Sequence, residues 1–175
     1  SSAALTESEI AILSGVVTSA STDLIESSNA IALKGSTVLK GATVTARIPS
    51  TGDICGNATT SDTGAYSIEL TDTCKAHIKD GRVVLIQAEK DITDNQSKEQ
   101  HVLVSAFFDI SNSAVDSDNL NITPKNTADS AVITFKLIQN SMKPRNIDLA
   151  TTLTPTEIKA IDTVIKQLIT VAEQS

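Results

Sequence analysis

Apolar and polar positions alternate along most of this chain with a period of two, the signature of strands that bury one face. Ile12–Val17 is the first such run. Ala42–Ile48 is the second, with Thr and Arg on one face and Val, Ala and Ile on the other. Asn57–Ser61 and Ala65–Leu70 flank the turn Ser61-Asp62-Thr63-Gly64 and predict a hairpin. Arg82–Glu89, His101–Phe108 and Ala131–Ile138 complete about seven strands, spaced as in a β-sandwich.

The pattern changes near the C-terminus. Thr154-Pro155-Thr156-Glu157 offers a Thr cap, Pro at the first helical position and Glu three residues after the cap. Ile158, Ile161, Ile165, Leu168 and Ala172 then share one face, with Lys159, Asp162, Lys166 and Glu173 mostly opposite. This amphipathic helix is expected to lie across a sheet face or an end of the sandwich, or to dock on another subunit.

Turn chemistry divides the chain. All seven glycines lie in the first 81 residues, so the later turns must use Asn, Asp and Ser, as in residues 91–100 and 109–121. Residues 33–44 also repeat themselves, Leu33-Lys34-Gly35-Ser36-Thr37-Val38 being echoed by Leu39-Lys40-Gly41-Ala42-Thr43-Val44. Two copies are too few for a solenoid. The second copy enters the strand at Ala42, and the first is free to form an extra edge strand.

Composition narrows the function classes. The net charge of −7 provides no cationic surface for nucleic acid or for an anionic membrane. No apolar run approaches the roughly 18 residues that span a bilayer. With no Trp, one Tyr and three Phe, the chain also has little to stack on sugars, which disfavours a carbohydrate face. Cys55 and Cys74 are not in a CxxC pattern, and His77 and His101 are the only histidines, so zinc is not indicated. Two free buried thiols are one reading of the cysteines. The Ser-, Thr- and Asn-rich, Lys-poor composition favours the other, a structural Cys55–Cys74 disulfide and an oxidising compartment. On that reading the chain is an exported, mature form, extracellular or at a cell surface, whose signal peptide has been removed.

Three segments in order, Leu13-Ser14-Gly15-Val16-Val17, Leu39-Lys40-Gly41-Ala42-Thr43-Val44 and Thr59-Thr60-Ser61-Asp62-Thr63-Gly64-Ala65-Tyr66-Ser67-Ile68, resemble the carboxypeptidase regulatory-like family, a transthyretin-like β-sandwich. The resemblance covers residues 11 to about 90, with a continuation to 138. It implies a mainly β, immunoglobulin-like or transthyretin-like sandwich of about seven strands followed by the C-terminal helix. It also implies motif glycines at turns (Gly15, Gly41, Gly64), a Tyr66 ring that is buried with its hydroxyl near the rim, and a non-catalytic role. The enlarged 18–38 connection, the extra disulfide and the helix depart from the family pattern. The corresponding organisation is an N-terminal arm (1–10), a sandwich domain (11–140), a linker (141–153) and the helix (154–173).

Candidate chemistry is sparse. There is no GxSxG motif, and His77 in a polar turn and His101 at a strand start read as surface residues. No cofactor is expected; calcium is the one inorganic ligand suggested, through Asp109, Asp116 and Asp118 in a loop that lacks the EF-hand Gly and Glu. A solvated acidic loop explains the same residues. Asn57, Asn95 and Asn121 are formal glycosylation sequons in a Ser- and Thr-rich chain that produces such triplets by chance. The expected function is that of a structural subunit that self-associates or joins another surface protein, filament-like, by exchanging an edge strand or arm. The alternative is an adhesin or accessory module that binds a surface polymer.

Overall fold

The computed structural model describes residues 10–20, 36–93, 99–139 and 155–174. Along them run β1 (Ile12–Val16), β2 (Thr18–Ala20), β3 (Ser36–Val38), β4 (Thr43–Arg47), β5 (Ile54–Thr59) and β6 (Ala65–Glu69). They are followed by α1 (Asp72–Lys79), β7 (Val84–Thr93), β8 (Glu99–Phe108), α2 (Pro124–Gln139) and α3 (Pro155–Glu173). The expected arm before Ile10, the linker 141–153, the cap at Thr154 and the Leu33–Gly35 half of the echo lie outside the described residues.

Alternation decides the layers. Val44, Ala46 and Ile48 are fully buried while Thr43 is exposed, so β4 turns one face inward. The antiparallel sheet β5-β4-β7-β8 presents Val44, Ala46, Ile86, Ala88, Val104 and Ala106 to a core shared with Leu13, Tyr66 and Ile68 of the β1–β6 pair. The protein is therefore a mainly β sandwich with antiparallel pairing throughout its named strands.

β7 is buried on both faces at its start. Val84 and Ile86 join the sandwich core, whereas Leu85 points the other way and meets Phe107, Ile133, Leu137, Ile161 and Ile165. Each such side chain contributes about 1.5–3 kcal/mol by leaving water. Helices α2 and α3 thus form a third layer over one end of the sheet, and α3 carries Ile161 and Ile165 inward on the expected face.

The Ala131–Ile138 strand expected from Val, Ile, Thr and Phe is instead the second half of α2. Ser130, Ile133 and Leu137 are its buried positions, spaced for a helix. Its start signal resembles that of α3: the Thr123 Oγ1 accepts the Asn126 N–H at 3.2 Å, Asn126 Oδ1 accepts the Thr123 N–H at 2.6 Å, and Pro124 occupies the first helical position. This reciprocal cap outweighed the β-propensity of the residues that follow it.

The hairpin expected around Ser61–Gly64 is also corrected. The turn closes through Gly64 N–H to Ser61 O (2.9 Å), but β5 pairs with β4 and β6 pairs with β1, so the two strands enter different sheets. The polar stretch after Leu70 is helix α1 and not a loop. The Thr71 hydroxyl caps it by accepting the Cys74 N–H at 3.3 Å. At its end Arg82 N–H reaches His77 O (3.0 Å) and Gly81 N–H reaches Ile78 O (2.9 Å), a Schellman closure that Gly81 permits at φ +87°.

A third neighbour completes β1. Residues 117–122 run beside it, with Leu120 N–H donating to Ser14 O (2.9 Å) and Ile122 N–H to Val16 O (3.0 Å), and Val17 forms a parallel bridge with Ile122. Gly15 lies inside β1, not at a turn. A Cβ there would overlap the Leu120 carbonyl, so glycine is required by the closeness of this segment.

Candidate functional site

Cys55 of β5 and Cys74 of α1 are joined, with Cα atoms 5.3 Å apart and a sequence separation of 19. The Thr71 N–H donates to Cys55 O at 3.0 Å, so the cap of α1 and the disulfide fix the same corner. Among the described residues there is no free cysteine, and no helix is long and apolar enough to cross a membrane.

The densest polar cluster was not visible in the sequence. Asp162 falls on the expected polar face of α3 yet is 6% exposed. Its Oδ1 accepts the Val83 N–H at 2.9 Å, and its Oδ2 accepts the Ser50 hydroxyl at 2.7 Å and Arg82 Nη1 at 3.3 Å. A buried carboxylate is tolerable only with such a set of donors. The chain of contacts continues outward: Arg82 Nε donates to His77 Nδ1 (3.1 Å), and His77 Nε2 meets Asp53 Oδ2 (2.7 Å). Because Nδ1 accepts, the proton sits on Nε2 and is donated to Asp53. Neither ring nitrogen is open to take a proton from a substrate, and the cluster acts as a clamp between α1, α3 and the sandwich.

His101 stands apart on the outer face of the β7–β8 ribbon. Its Nδ1 lies 2.7 Å from Asp91 Oδ1 and its Nε2 lies 3.4 Å from Glu89 Oε2. The hydrogen bond to Asp91 raises its pKa above the usual histidine value, although the ring is in solvent.

The acidic loop disperses its carboxylates. Asp109 accepts from the Ser111 hydroxyl and lies 3.9 Å from Lys166 Nζ, while Asp116 Oδ1 accepts the Asp118 N–H at 2.9 Å. Among the described residues, no group of three or more His, Cys, Asp or Glu side chains is placed to hold a metal ion. Of the sequons, Asn57 is exposed on edge strand β5 and Asn95 lies outside the described residues. Asn121 is engaged in the fold: its Oδ1 accepts the Val16 N–H at 2.9 Å and its Nδ2 donates to Asn119 at 2.9 Å.

The motif residues have separate tasks. Gly41 turns the chain into β4 at φ +69°, and Gly64 occupies φ +79° with Val17 O close to where its Cβ would stand. Tyr66 is buried to its tip. Its hydroxyl does not reach a rim but donates to Leu120 O at 2.6 Å, and burial pushes the phenol pKa far up.

Among the described residues, β8 and a cleft beside α2 and α3 present surfaces to solvent. β8 is a ten-residue edge of the four-stranded sheet. Its outward side is occupied at one end, where Ser105 N–H donates to Thr127 Oγ1 of α2 at 3.3 Å. Toward Glu99 the strand carries the exposed side chains of Glu99, His101 and Leu103, the last 50% exposed. The second surface is a cleft of about 300 Å³ between α2, α3 and β8, floored by Phe107, Phe108 and Ile133 and edged by Lys125 and Lys166. Set against family models, curated proteins and solved structures, the chain matches none of them.

Proposed function

We propose that this chain is an exported, non-catalytic structural subunit that self-associates through an exposed strand edge, in the manner of a filament protein. The observation that carries the reading is β8. A long edge strand without Pro or Lys presents unpaired backbone groups that a second strand can satisfy. The buried disulfide favours an oxidising, extracellular or cell-surface location. The occupied ring of His77 favours a role other than acid–base catalysis. The motifs Leu39–Val44 and Thr59–Ile68, which contain Gly41 and Gly64, favour the carboxypeptidase regulatory-like, transthyretin-like modules, and the family's non-enzymatic character fits the same role.

Electron microscopy of the purified chain, with and without Leu103→Pro, tests this. The outward Ser105 N–H and the two-residue period of a strand make Leu103 N–H point away from β7. Proline at 103 therefore blocks the edge while leaving the β7 ladder intact. Ordered polymers that Leu103→Pro abolishes, with circular dichroism unchanged, support the reading; a wild-type chain that stays monomeric at high concentration sinks it.

A second reading, an accessory module for a surface polymer, draws on the α2–α3 cleft with its two lysines. Saturable binding to a polymer by monomeric chain, lost in Lys166→Ala, favours it. Calcium titration of the 109–119 loop tests whether an ion takes part.

A further inference from the structure

Glu89 and Asp91 stand two positions apart on β7, so the period of a strand puts both side chains on one face of the sheet. His101 of β8 is the register partner of Asp91 and the diagonal neighbour of Glu89, whose own partner is Leu103. All four side chains are exposed on the outer face, at the end of the ribbon away from the Leu85–Phe107 contact with the helices. The imidazole lies between the two carboxylates, with Nδ1 2.7 Å from Asp91 Oδ1 and Nε2 3.4 Å from Glu89 Oε2. Both ring nitrogens therefore face acceptors. A neutral imidazole has one N–H and one lone pair, and can donate to only one of them; the imidazolium donates to both. The arrangement fits the cation.

We infer that Glu89, Asp91 and His101 form a proton-operated clasp on the open end of the β7–β8 ribbon: the imidazolium holds β8 to β7 at two points, and the neutral ring lets one of them go. The other charges around the ring are Lys90, which borders the same shallow hollow as Gly41 and Thr43, Glu99, two residues before His101 on the same side of β8, and Lys40 in the exposed turn ahead of Gly41. Among the described residues, neither lysine forms an ion pair with Glu89 or Asp91, so the imidazolium is their counter-ion. Glu99 adds to the negative field that favours it. The bond to Asp91 comes first among the causes that raise the His101 pKa. A raised folded value means that the contribution is fully present below about pH 6.5 and is lost as pH rises through the folded pKa. On the inner side of the same stretch Ile92 and Val102 stay buried in the core, so the clasp changes how firmly the outer side is held and leaves the fold in place. It is a property of the single chain, independent of whether the β8 edge takes a partner.

Nuclear magnetic resonance of the dilute chain reads this directly, with the two histidines told apart by His101→Gln. The His101 ring is expected to titrate above the ordinary histidine value, and Asp91→Asn and Glu89→Gln should each lower its midpoint, Asp91→Asn by more. All three side chains are exposed, so these variants keep the fold. The N–H groups of Gln100 and Val102, which flank His101, point toward β7, since the alternate Ser105 N–H points away. Their protection from hydrogen exchange, corrected for the intrinsic rate, is expected to be about two- to fivefold greater at about pH 5.5 than at about pH 9, the range that an exposed ion pair supports. In His101→Gln that difference should vanish. A ring that titrates at or below the ordinary value overturns the inference, as does a raised midpoint that both carboxylate variants leave unmoved. So does a protection difference that persists in His101→Gln, or one that is absent from the wild type.

Discussion

The carboxylate of Asp162 accepts the Val83 N–H at 2.9 Å, so the last helix is fastened by a buried charge to the residue just before β7. Ser50 and Arg82 hold the other oxygen. Asp162→Ala leaves the Val83 N–H and Ser50 hydroxyl without their partner and strands the Arg82 charge. Removing one member of a buried pair costs about 3–5 kcal/mol, and the loss here is expected at the lower end because the Arg82 side chain keeps 23% of its exposure. Asp162→Asn retains an acceptor and should cost less. Urea unfolding followed by circular dichroism measures both; equal, negligible losses would mean that the clamp contributes nothing.

Gly15→Ala is expected to destabilise by about 3 kcal/mol, because the new methyl forces the 117–122 segment off β1 and strains its hydrogen bonds. Gly41→Ala provides the contrast. Nothing lies within 4 Å of a Cβ there, so only the φ of +69° is penalised, at about 1 kcal/mol. If the two variants unfold at the same urea concentration, close packing is not the reason for Gly15.

Tyr66 sets an alkaline limit. Its folded pKa is raised above the ordinary value near 10 by burial, so the folded state holds the proton more tightly than the unfolded state does. The associated stability is fully present below about pH 10 and falls as pH rises beyond that value. Tyr66→Phe removes this alkaline dependence but loses the bond to Leu120 O, costing about 1 kcal/mol at neutral pH. Because Tyr66 is the single tyrosine, an ultraviolet titration reports it cleanly. Ionisation near pH 10 in the folded protein contradicts its burial.

Replacing Cys55 and Cys74 by Ala opens a loop spanning 19 residues and is expected to remove about 3 kcal/mol. For a chain of this size that lowers Tm by roughly 6–12 °C. Calorimetry with and without reductant should show the same shift in the wild type and none in the variant.

Period-two segments carried most of the sandwich. β1, β4, β7 and β8 stand close to where alternation puts them, because a strand half buried in a core must alternate. The extra strand expected from Leu33–Val38 appears in its described part as β3, paired with β2. The second half of helix α2 reads as a strand because Val, Ile, Thr and Phe are strand formers by propensity. The signal that decides for a helix is Thr123-Pro124, the same Thr–Pro pair that stands before α3. α1 leaves little periodic signal, being eight residues with two buried side chains. The Asp162 clamp had no local signature: its partners are about 80 and 112 residues away, and a charged residue on the polar side of a helix looks the same whether or not a neighbour covers it. Gly15 reads as a turn glycine because nothing in the sequence announces that residues a hundred positions later press against its Cα.

That late neighbour bears on how the chain is made. β6 can zip onto β1 once residue 69 has emerged from a ribosome or a secretion channel, and Cys55 and Cys74 can close soon afterwards. The other side of β1 must wait for Asn121, whose side chain holds Val16 across 105 positions. For that interval one flank of the first strand has unmet amides in a half-built chain, the period in which a chaperone, or another copy's strand, competes for the place.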